Sequence, residues 1–170
     1  MNRISDIKFQ PNIEENAFVS RLISFIKIKA IPDYLSNEYL EFTPVDSCAK
    51  AIITIMQSSN QTNRVFHLFN PNHVTIQHFI KVLKNYKKFE IVKEQEFLDI
   101  INSTLKGKNS DKLLSGIIKD FDTNKKIAYR SNIHVSNDFS TEYLKKLHFK
   151  WPKITDEYLE KFIKYILNLK

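Results

Sequence analysis

Apolar residues recur at helical spacing along much of the chain, and shorter alternating stretches separate them. The first helical pattern covers residues 17–26 and predicts a helix with one apolar stripe. Asn12 has the chemistry of an N-cap, and Glu15 three residues later completes a capping-box pattern. Pro32 is expected to end this helix.

Two segments alternate as β-strands do, and a helical pattern follows each of them. Residues 39–45 and 65–69 are the predicted strands. Asp46 is expected to cap the helix after the first strand. The core face of that helix is expected to comprise Ala49, Ile52, Ile53 and Met56. After the second strand, residues 70–72 predict a turn, and Thr75 is expected to start a helix.

The second half of the chain is predicted to be mainly helical. A third short strand is expected at residues 89–92, and Thr141 is expected to open a brief helix. A last helix is expected after Thr155, with an apolar face of Leu159, Phe162, Ile163, Ile166 and Leu167. The pattern therefore predicts a mostly helical α/β fold with two or three short strands and about six helices. So thin a sheet has open edges, which is typical of a lobe cut from a larger α/β protein.

Length and composition predict one soluble globular domain that spans residues 1–170, since 42% of the residues are apolar and 26% are charged. The longest apolar run, residues 51–56, is too short to cross a bilayer, and the N-terminus has no apolar signal region. No membrane partner is therefore expected. The single cysteine, Cys48, excludes an internal disulfide and indicates a reducing compartment, so the expected location is the cytoplasm.

The net charge of +7 favours contact with phosphate groups or acidic partners. Lysine outnumbers arginine by 22 to 4, however, and arginine supplies the forked contacts that nucleic-acid sites favour. The lysines also scatter along helical faces, as solvated lysines do. A basic nucleic-acid-binding module is therefore the least favoured interpretation.

Glycine is scarce, and this limits the kinds of site that the chain can form. Only Gly107 and Gly116 occur, so a phosphate-binding loop of the G-x-G-x-x-G type is excluded. Cys48 lies in an amphipathic pattern, where a lone cysteine is usually a small core residue and not a nucleophile. The histidines nearest to one another in sequence match no standard metal site: His67, His73 and His78.

Two segments resemble extended short-chain dehydrogenase/reductases. In the C-terminal substrate lobe of that superfamily, a strand ends in Val-Asp-Asp-Val-Ala at a helix start. Residues 41–49, Glu-Phe-Thr-Pro-Val-Asp-Ser-Cys-Ala, are similar, with Ser47 in place of the second aspartate. Residues 65–70 resemble a later strand of the Val-Tyr-Asn type in the same lobe.

Three further segments are similar to the thioester reductase domains that end nonribosomal peptide synthetases. Residues 2–10 resemble their loop of the form Asn-x-x-Arg-Tyr-Ser-Asp-Gly-x-Phe-Gln. Ile4 replaces the aromatic residue of that loop, and Ile7 replaces its glycine. Residues 31–33 and 149–158 also look like this family, so the five segments occur in the family's order.

The resemblance implies a specific chemistry. These domains release a peptidyl chain from the phosphopantetheine arm of a carrier protein, and hydride from NADPH converts the thioester to an aldehyde or onward to an alcohol. The family uses a Thr/Ser together with a Tyr-x-x-x-Lys pair. None of the seven tyrosines here has lysine four residues later, and the glycine-rich loop has no match. The resemblance therefore covers the C-terminal, substrate-binding half of the domain, and implies a lobe that is not catalytic alone.

The resemblance also indicates candidate substrate-binding residues, in a loop that passes beside the nicotinamide and over the substrate channel: Arg3, Ser5, Phe9, Gln10 and Asn16. In this chain the strand that would pin the loop is missing, so a frayed terminus is expected. No catalytic, cofactor-binding or metal-binding residue is assigned, and NADPH belongs to the intact parent domain.

The expected partners are a peptidyl carrier protein with its tethered acyl chain and the missing N-terminal Rossmann half. Without that half, apolar surface should be bared, so self-association is expected. The main alternative is a non-catalytic module that binds a carrier protein or an acyl chain. Its carrier affinity would fall with salt and persist without NADPH.

Overall fold

The computed structural model of the chain describes Phe9 and residues 12–58, 64–107, 110–118, 121 and 135–168. Seven helices occur in these residues: α1 (Ala17–Ile28), α2 (Val45–Met56), α3 (Ile76–Leu83), α4 (Glu94–Leu105), α5 (Ser110–Leu114), α6 (Asp138–Lys146) and α7 (Asp156–Leu167). Four strands occur in them as well: β1 (Ala30–Pro32), β2 (Tyr39–Leu40), β3 (Val74–Thr75) and β4 (Glu90–Val92). This composition confirms the prediction of a mostly helical α/β fold.

The chain divides into two compact units. Unit 1 comprises Met1–Glu38, Ile76–Arg130 and Asp156–Lys170, and unit 2 comprises Tyr39–Thr75 and Ser131–Thr155. Unit 1 contains α1, α3, α4, α5 and α7 with strands β1 and β4, whereas unit 2 contains α2 and α6 with β2 and β3. Within the described residues, no helix is long and apolar enough to cross a membrane.

Helix α1 begins one turn later than the sequence predicts. The side chain of Asn16 caps it by accepting hydrogen bonds from the backbone N–H groups of Phe18 (3.0 Å) and Val19 (3.3 Å). Asn12 instead has a left-handed backbone (φ 58°) and makes no side-chain capping bond, and the 3-10 turn Ile13–Glu15 follows it. The capping box at Asn12 is therefore wrong, because a second asparagine in the right backbone conformation lies nearer the helix.

The end of α1 also differs from the prediction. Lys29 adopts a left-handed conformation (φ 62°), and its N–H donates to the carbonyl of Phe25. Pro32 does not end the helix but closes strand β1, which runs parallel to β4 with Ala30 opposite Glu90. Among the described strands β1 pairs only with β4, so it is an edge strand, where proline is tolerated.

The core of unit 1 is aromatic and aliphatic. The rings of Phe25 and Phe97 lie 6.0 Å apart between α1 and α4, and those of Phe79 and Phe162 lie 6.4 Å apart between α3 and α7. Four of the five residues predicted to form the apolar face of α7 are buried: Leu159, Phe162, Ile163 and Ile166. Helix α7 thus confirms its predicted start and face.

Gly116 follows α5 and lies directly against α1. Its N–H donates to the hydroxyl of Ser24 over 3.0 Å. A Cβ at Gly116 would overlap the carbonyl of Ser20 and come within 2.7 Å of the backbone nitrogen of Arg21. Only glycine permits this approach without moving the helix backbone.

In unit 2, strands β2 and β3 form a short antiparallel pair, with Tyr39 opposite Thr75 and Leu40 opposite Val74. The strand predicted at residues 39–45 is therefore only two residues long. The last residue of the predicted strand, Val45, is the first residue of α2 in the structure.

Helix α2 begins differently from the prediction and buries a different face. Pro44 occupies the N-cap position, and no side chain caps the helix, so the assignment of Asp46 as the cap is wrong. Asp46 lies in the first turn, where the helix dipole favours an acidic residue. The buried residues are Ala51 and Ile55, whereas the predicted core residues are exposed: Ala49, Ile52, Ile53 and Met56.

Residues 64–69 form neither a helix nor a strand, and no described strand pairs with them, so the predicted second strand is not formed. Phe66 and Leu68 of this segment pack against a small cluster formed by Ala51 and Ile55 of α2 and Leu144 of α6. Helix α6 begins three residues before the predicted start, at Asp138. The short extended piece predicted at residues 133–135 lies mostly outside the described residues.

Candidate functional site

Two of the five predicted substrate-binding residues, Phe9 and Asn16, lie in the described part of the chain, and Arg3, Ser5 and Gln10 lie outside it. Phe9 is half-buried against α7. Its ring centroid lies 4.8 Å from that of Tyr165, 5.6 Å from that of Phe162 and 6.3 Å from that of Tyr158. Such tilted and edge-on contacts are favourable aromatic geometries, so α7 holds the chain at Phe9.

Asn16 has a defined local role. Its side-chain oxygen accepts both capping hydrogen bonds at the start of α1. That oxygen therefore serves the fold, and Asn16 would need its amide nitrogen to contact a ligand. Phe9 and Asn16 are thus fixed by separate local contacts on either side of the short segment that joins them.

Asn70 is a fully buried polar residue whose role the sequence does not reveal. Its side-chain nitrogen donates to the carbonyls of Phe42 (3.1 Å) and Pro152 (3.0 Å). Its side-chain oxygen accepts from the N–H of Asn72 (3.0 Å), and its own N–H donates to the hydroxyl of Thr43 (2.9 Å). These bonds tie three separate loops of unit 2 together.

The partners of Asn70 show what it can do. Three of its four bonds run to backbone groups, and the fourth uses a hydroxyl that accepts its N–H, so the amide orders loops and is not aimed at a reacting group. Asn72 adds a parallel bond to the carbonyl of Pro152 (3.1 Å). In the sequence, the pair Asn70-Pro71 predicts a turn. It does not predict that Asn70 bonds to Pro152, 82 residues away.

His78 and Asp156 form a surface pair that links α3 to α7. The Nε2 atom of His78 lies 2.7 Å from an oxygen of Asp156, and both side chains are largely exposed. The ring of His73 stacks on that of Phe69 (centroids 6.3 Å apart) and contacts that of Tyr39 in a tilted arrangement (5.8 Å). No group of three or more histidine, cysteine, aspartate or glutamate residues in the described ranges could hold a metal ion.

The glycines test whether this chain could hold a dinucleotide. The backbone at Gly116 is packed against Ser20, and its N–H is bonded to Ser24, so it is not available to a phosphate. Gly107 follows α4, and its N–H is bonded to the carbonyl of Thr104 (3.0 Å). Neither glycine therefore forms a phosphate-binding loop of the G-x-G-x-x-G type.

Solved structures share this fold. The thiolation-reductase di-domain from an archaeal nonribosomal peptide synthetase matches 98% of this chain with a TM-score of 0.76 and 25% sequence identity. The reductase domain of the aureusimine biosynthetic cluster matches 93% of it (TM-score 0.71, 19% identity). The terminal R domain of the myxalamid PKS-NRPS pathway matches 91% (TM-score 0.69, 13% identity). No protein-family model and no curated protein sequence matches this chain.

The fold is therefore that of a reductase domain. More particularly, it is the fold of part of a nonribosomal peptide synthetase terminal reductase domain, consistent with the C-terminal part, which confirms the resemblance seen in the sequence. The chain spans only 34% to 39% of the length of these three structures.

Proposed function

We propose that this chain is the substrate-binding lobe of an NADPH-dependent thioester reductase that releases a carrier-bound peptide as an aldehyde or alcohol, and that it is not catalytic alone. The observation that carries the proposal is the extent of the structural match. Nearly all of the chain, 98%, superposes on the archaeal reductase structure, yet it accounts for only 34% of that structure.

The chemistry of the chain supports a non-catalytic role. The sequence has neither a Tyr-x-x-x-Lys pair nor a glycine-rich loop, and its two glycines serve packing and helix ends. NADPH is therefore expected to bind to the part of a reductase domain that this chain does not include.

We further propose that Arg3, Ser5, Phe9, Gln10 and Asn16 belong to a loop that contacts the substrate. Two contacts support this proposal. Phe9 is held against Tyr165 of α7, and Asn16 fixes the start of α1, so the chain is anchored at the C-terminal end of the loop. An anchored end lowers the entropy that a loop loses when it binds a ligand.

The proposed carrier-protein partner suits the charge of the chain. A net charge of +7 favours association with an acidic protein, and that association should weaken as salt is added. The alternative of a non-catalytic binding module would be supported by two results together. The chain would bind the carrier without NADPH, and a complete domain that contains the chain would not reduce the thioester.

The test compares this chain with a chimera in which it replaces the matching third of the archaeal reductase. NADPH binding is measured by fluorescence, and aldehyde formation is measured with a carrier-bound acyl thioester. We expect neither activity from the chain alone and both from the chimera. Reduction by the chain alone would contradict the proposal. So would a folded, NADPH-binding chimera that forms no more aldehyde than the archaeal reductase lacking its matching third.

A further inference from the structure

Apolar surface is unevenly distributed between the two units. Unit 2 holds eight of the eleven large apolar side chains that are exposed in the described residues, and unit 1 holds the other three: Tyr86, Ile91 and Ile118. Of the 28 apolar residues that are buried in the described part of the chain, unit 2 contributes only six. It therefore has a small core and an apolar exterior, which marks an interaction surface.

The largest share of this exterior is one stripe on α2. Ala51 and Ile55 face the core of unit 2, but a second apolar row lies on another side of the helix: Val45, Ala49, Ile52, Ile53 and Met56. At 100° per residue these five positions fall within an arc of about 100°. The four large members are 44% to 81% exposed. A helix that is apolar on both sides is normally covered on both.

The segment of residues 64–69, which forms neither helix nor strand, offers a second observation. It has the alternation of a strand, since Phe66 and Leu68 pack on the unit 2 cluster while Val65 and His67 are exposed. No described strand pairs with it. The N–H of His67 donates to the hydroxyl of Ser140 (2.9 Å), and the carbonyl of Phe69 accepts from the side chain of Asn137 (2.6 Å). A segment with the alternation of a strand but no ladder partner can pair with a strand of another sheet.

We propose that the α2 stripe, defined by Val45, Ala49, Ile52, Ile53 and Met56, is the surface on which the remainder of a reductase domain packs. This inference rests on the proposed function. A strand-like segment without a ladder partner and an uncovered apolar helix in one unit are the two elements that an α/β layer requires, a sheet position and a covering helix. In each of the three solved reductases, more than 60% of the chain lies outside the part that matches this one.

The chemistry of the stripe favours this occupant over a carrier protein. Carrier docking is transient and would use a charged surface, whereas the stripe is uncharged and its near neighbours on the helix, Asp46 and Lys50, have opposite signs. Uncharged apolar faces are typical of permanent interfaces, such as those inside one domain.

The test uses the full chain and, as the probe, the part of the archaeal reductase domain that has no counterpart in it, expressed separately and without the thiolation domain. Complex formation is followed by sedimentation velocity without NADPH. The variant Ile53→Lys/Met56→Lys is compared with Ile118→Lys, which changes an exposed apolar side chain of unit 1. Circular dichroism checks that both variants remain folded, which is expected because the altered side chains are exposed.

We expect the wild-type chain and the Ile118→Lys control to bind the probe at micromolar concentrations, and the α2 variant to bind at least tenfold more weakly. Equal binding by all three proteins would overturn the proposal, as would no wild-type binding up to about 100 μM. The proposal would also be overturned if no probe complex forms and the α2 variant abolishes self-association or carrier binding instead. The stripe would then be the surface for a second copy of the chain or for the carrier protein. A complex that forms but reduces no thioester would leave the docking surface intact and reject the proposed function.

Discussion

Replacing Gly116 by alanine should destabilise unit 1 strongly. The new Cβ would overlap the carbonyl of Ser20 and lie 2.7 Å from the nitrogen of Arg21. All of these atoms are backbone, so no side chain can rotate away and α1 must move. Overpacking of this kind costs about 1–3 kcal/mol.

The movement should also weaken the bond of 3.0 Å from the Gly116 N–H to the Ser24 hydroxyl, which contributes about 1 kcal/mol. The smaller entropy of the unfolded alanine chain offsets about 0.4–1 kcal/mol. The expected net loss is therefore about 1–3.5 kcal/mol, compared with the ~5–15 kcal/mol that stabilises a typical domain.

Gly107→Ala is the matched control. Its Cβ would meet one atom, the carbonyl oxygen of Thr104, at 3.2 Å, and its backbone φ is not positive. We expect a change within about 0.5 kcal/mol. Urea unfolding followed by far-UV circular dichroism measures both free energies of unfolding. If Gly116→Ala is no less stable than Gly107→Ala, the packing described for Gly116 is incorrect.

Two further predictions concern asparagines. Asn70→Ala removes three side-chain hydrogen bonds from a fully buried site and should cost about 2–4 kcal/mol in urea unfolding, read from the fluorescence of Trp151 in unit 2. A loss below about 1 kcal/mol would show that the network is not structural. Asn16→Ala removes the α1 cap and should cost about 1 kcal/mol, whereas Asn12→Gly should be tolerated because Asn12 is left-handed and caps nothing. A larger loss of stability in Asn12→Gly than in Asn16→Ala would show that Asn12 is the cap after all.

The parts of the fold that sequence predicts well are those with one apolar face. Helix α7 has a single stripe ending in Ile166, so spacing alone identifies both the helix and its core side. Helix α2 is equally recognisable as a helix, but it has two apolar faces. Spacing cannot rank them, and the prediction selected Ile52 and Ile53 over Ala51 and Ile55.

The remaining differences depend on contacts between distant residues. Strand β1 exists because β4 pairs with it. Its three residues, which include Pro32, carry no strand pattern from which the pairing could be predicted. The bond from Asn70 to Pro152 and the pair of His78 and Asp156 each join residues about 80 positions apart. Of the candidate site, the role of Phe9 in substrate binding stays a prediction, and the sequence did not predict that Tyr165 would hold Phe9.

The order in which the chain is synthesised bears on how unit 1 forms. Its helices α3 and α7 pack together through Phe79 and Phe162, yet the paired residues His78 and Asp156 at this contact are 78 positions apart. At ~5–20 residues per second, α7 follows α3 from the ribosome by about 4–16 s. During that interval the side of α3 that packs on α7 is uncovered. A nascent chain of this protein should therefore depend on chaperones until α7 emerges, and loss of α7 should yield an insoluble product.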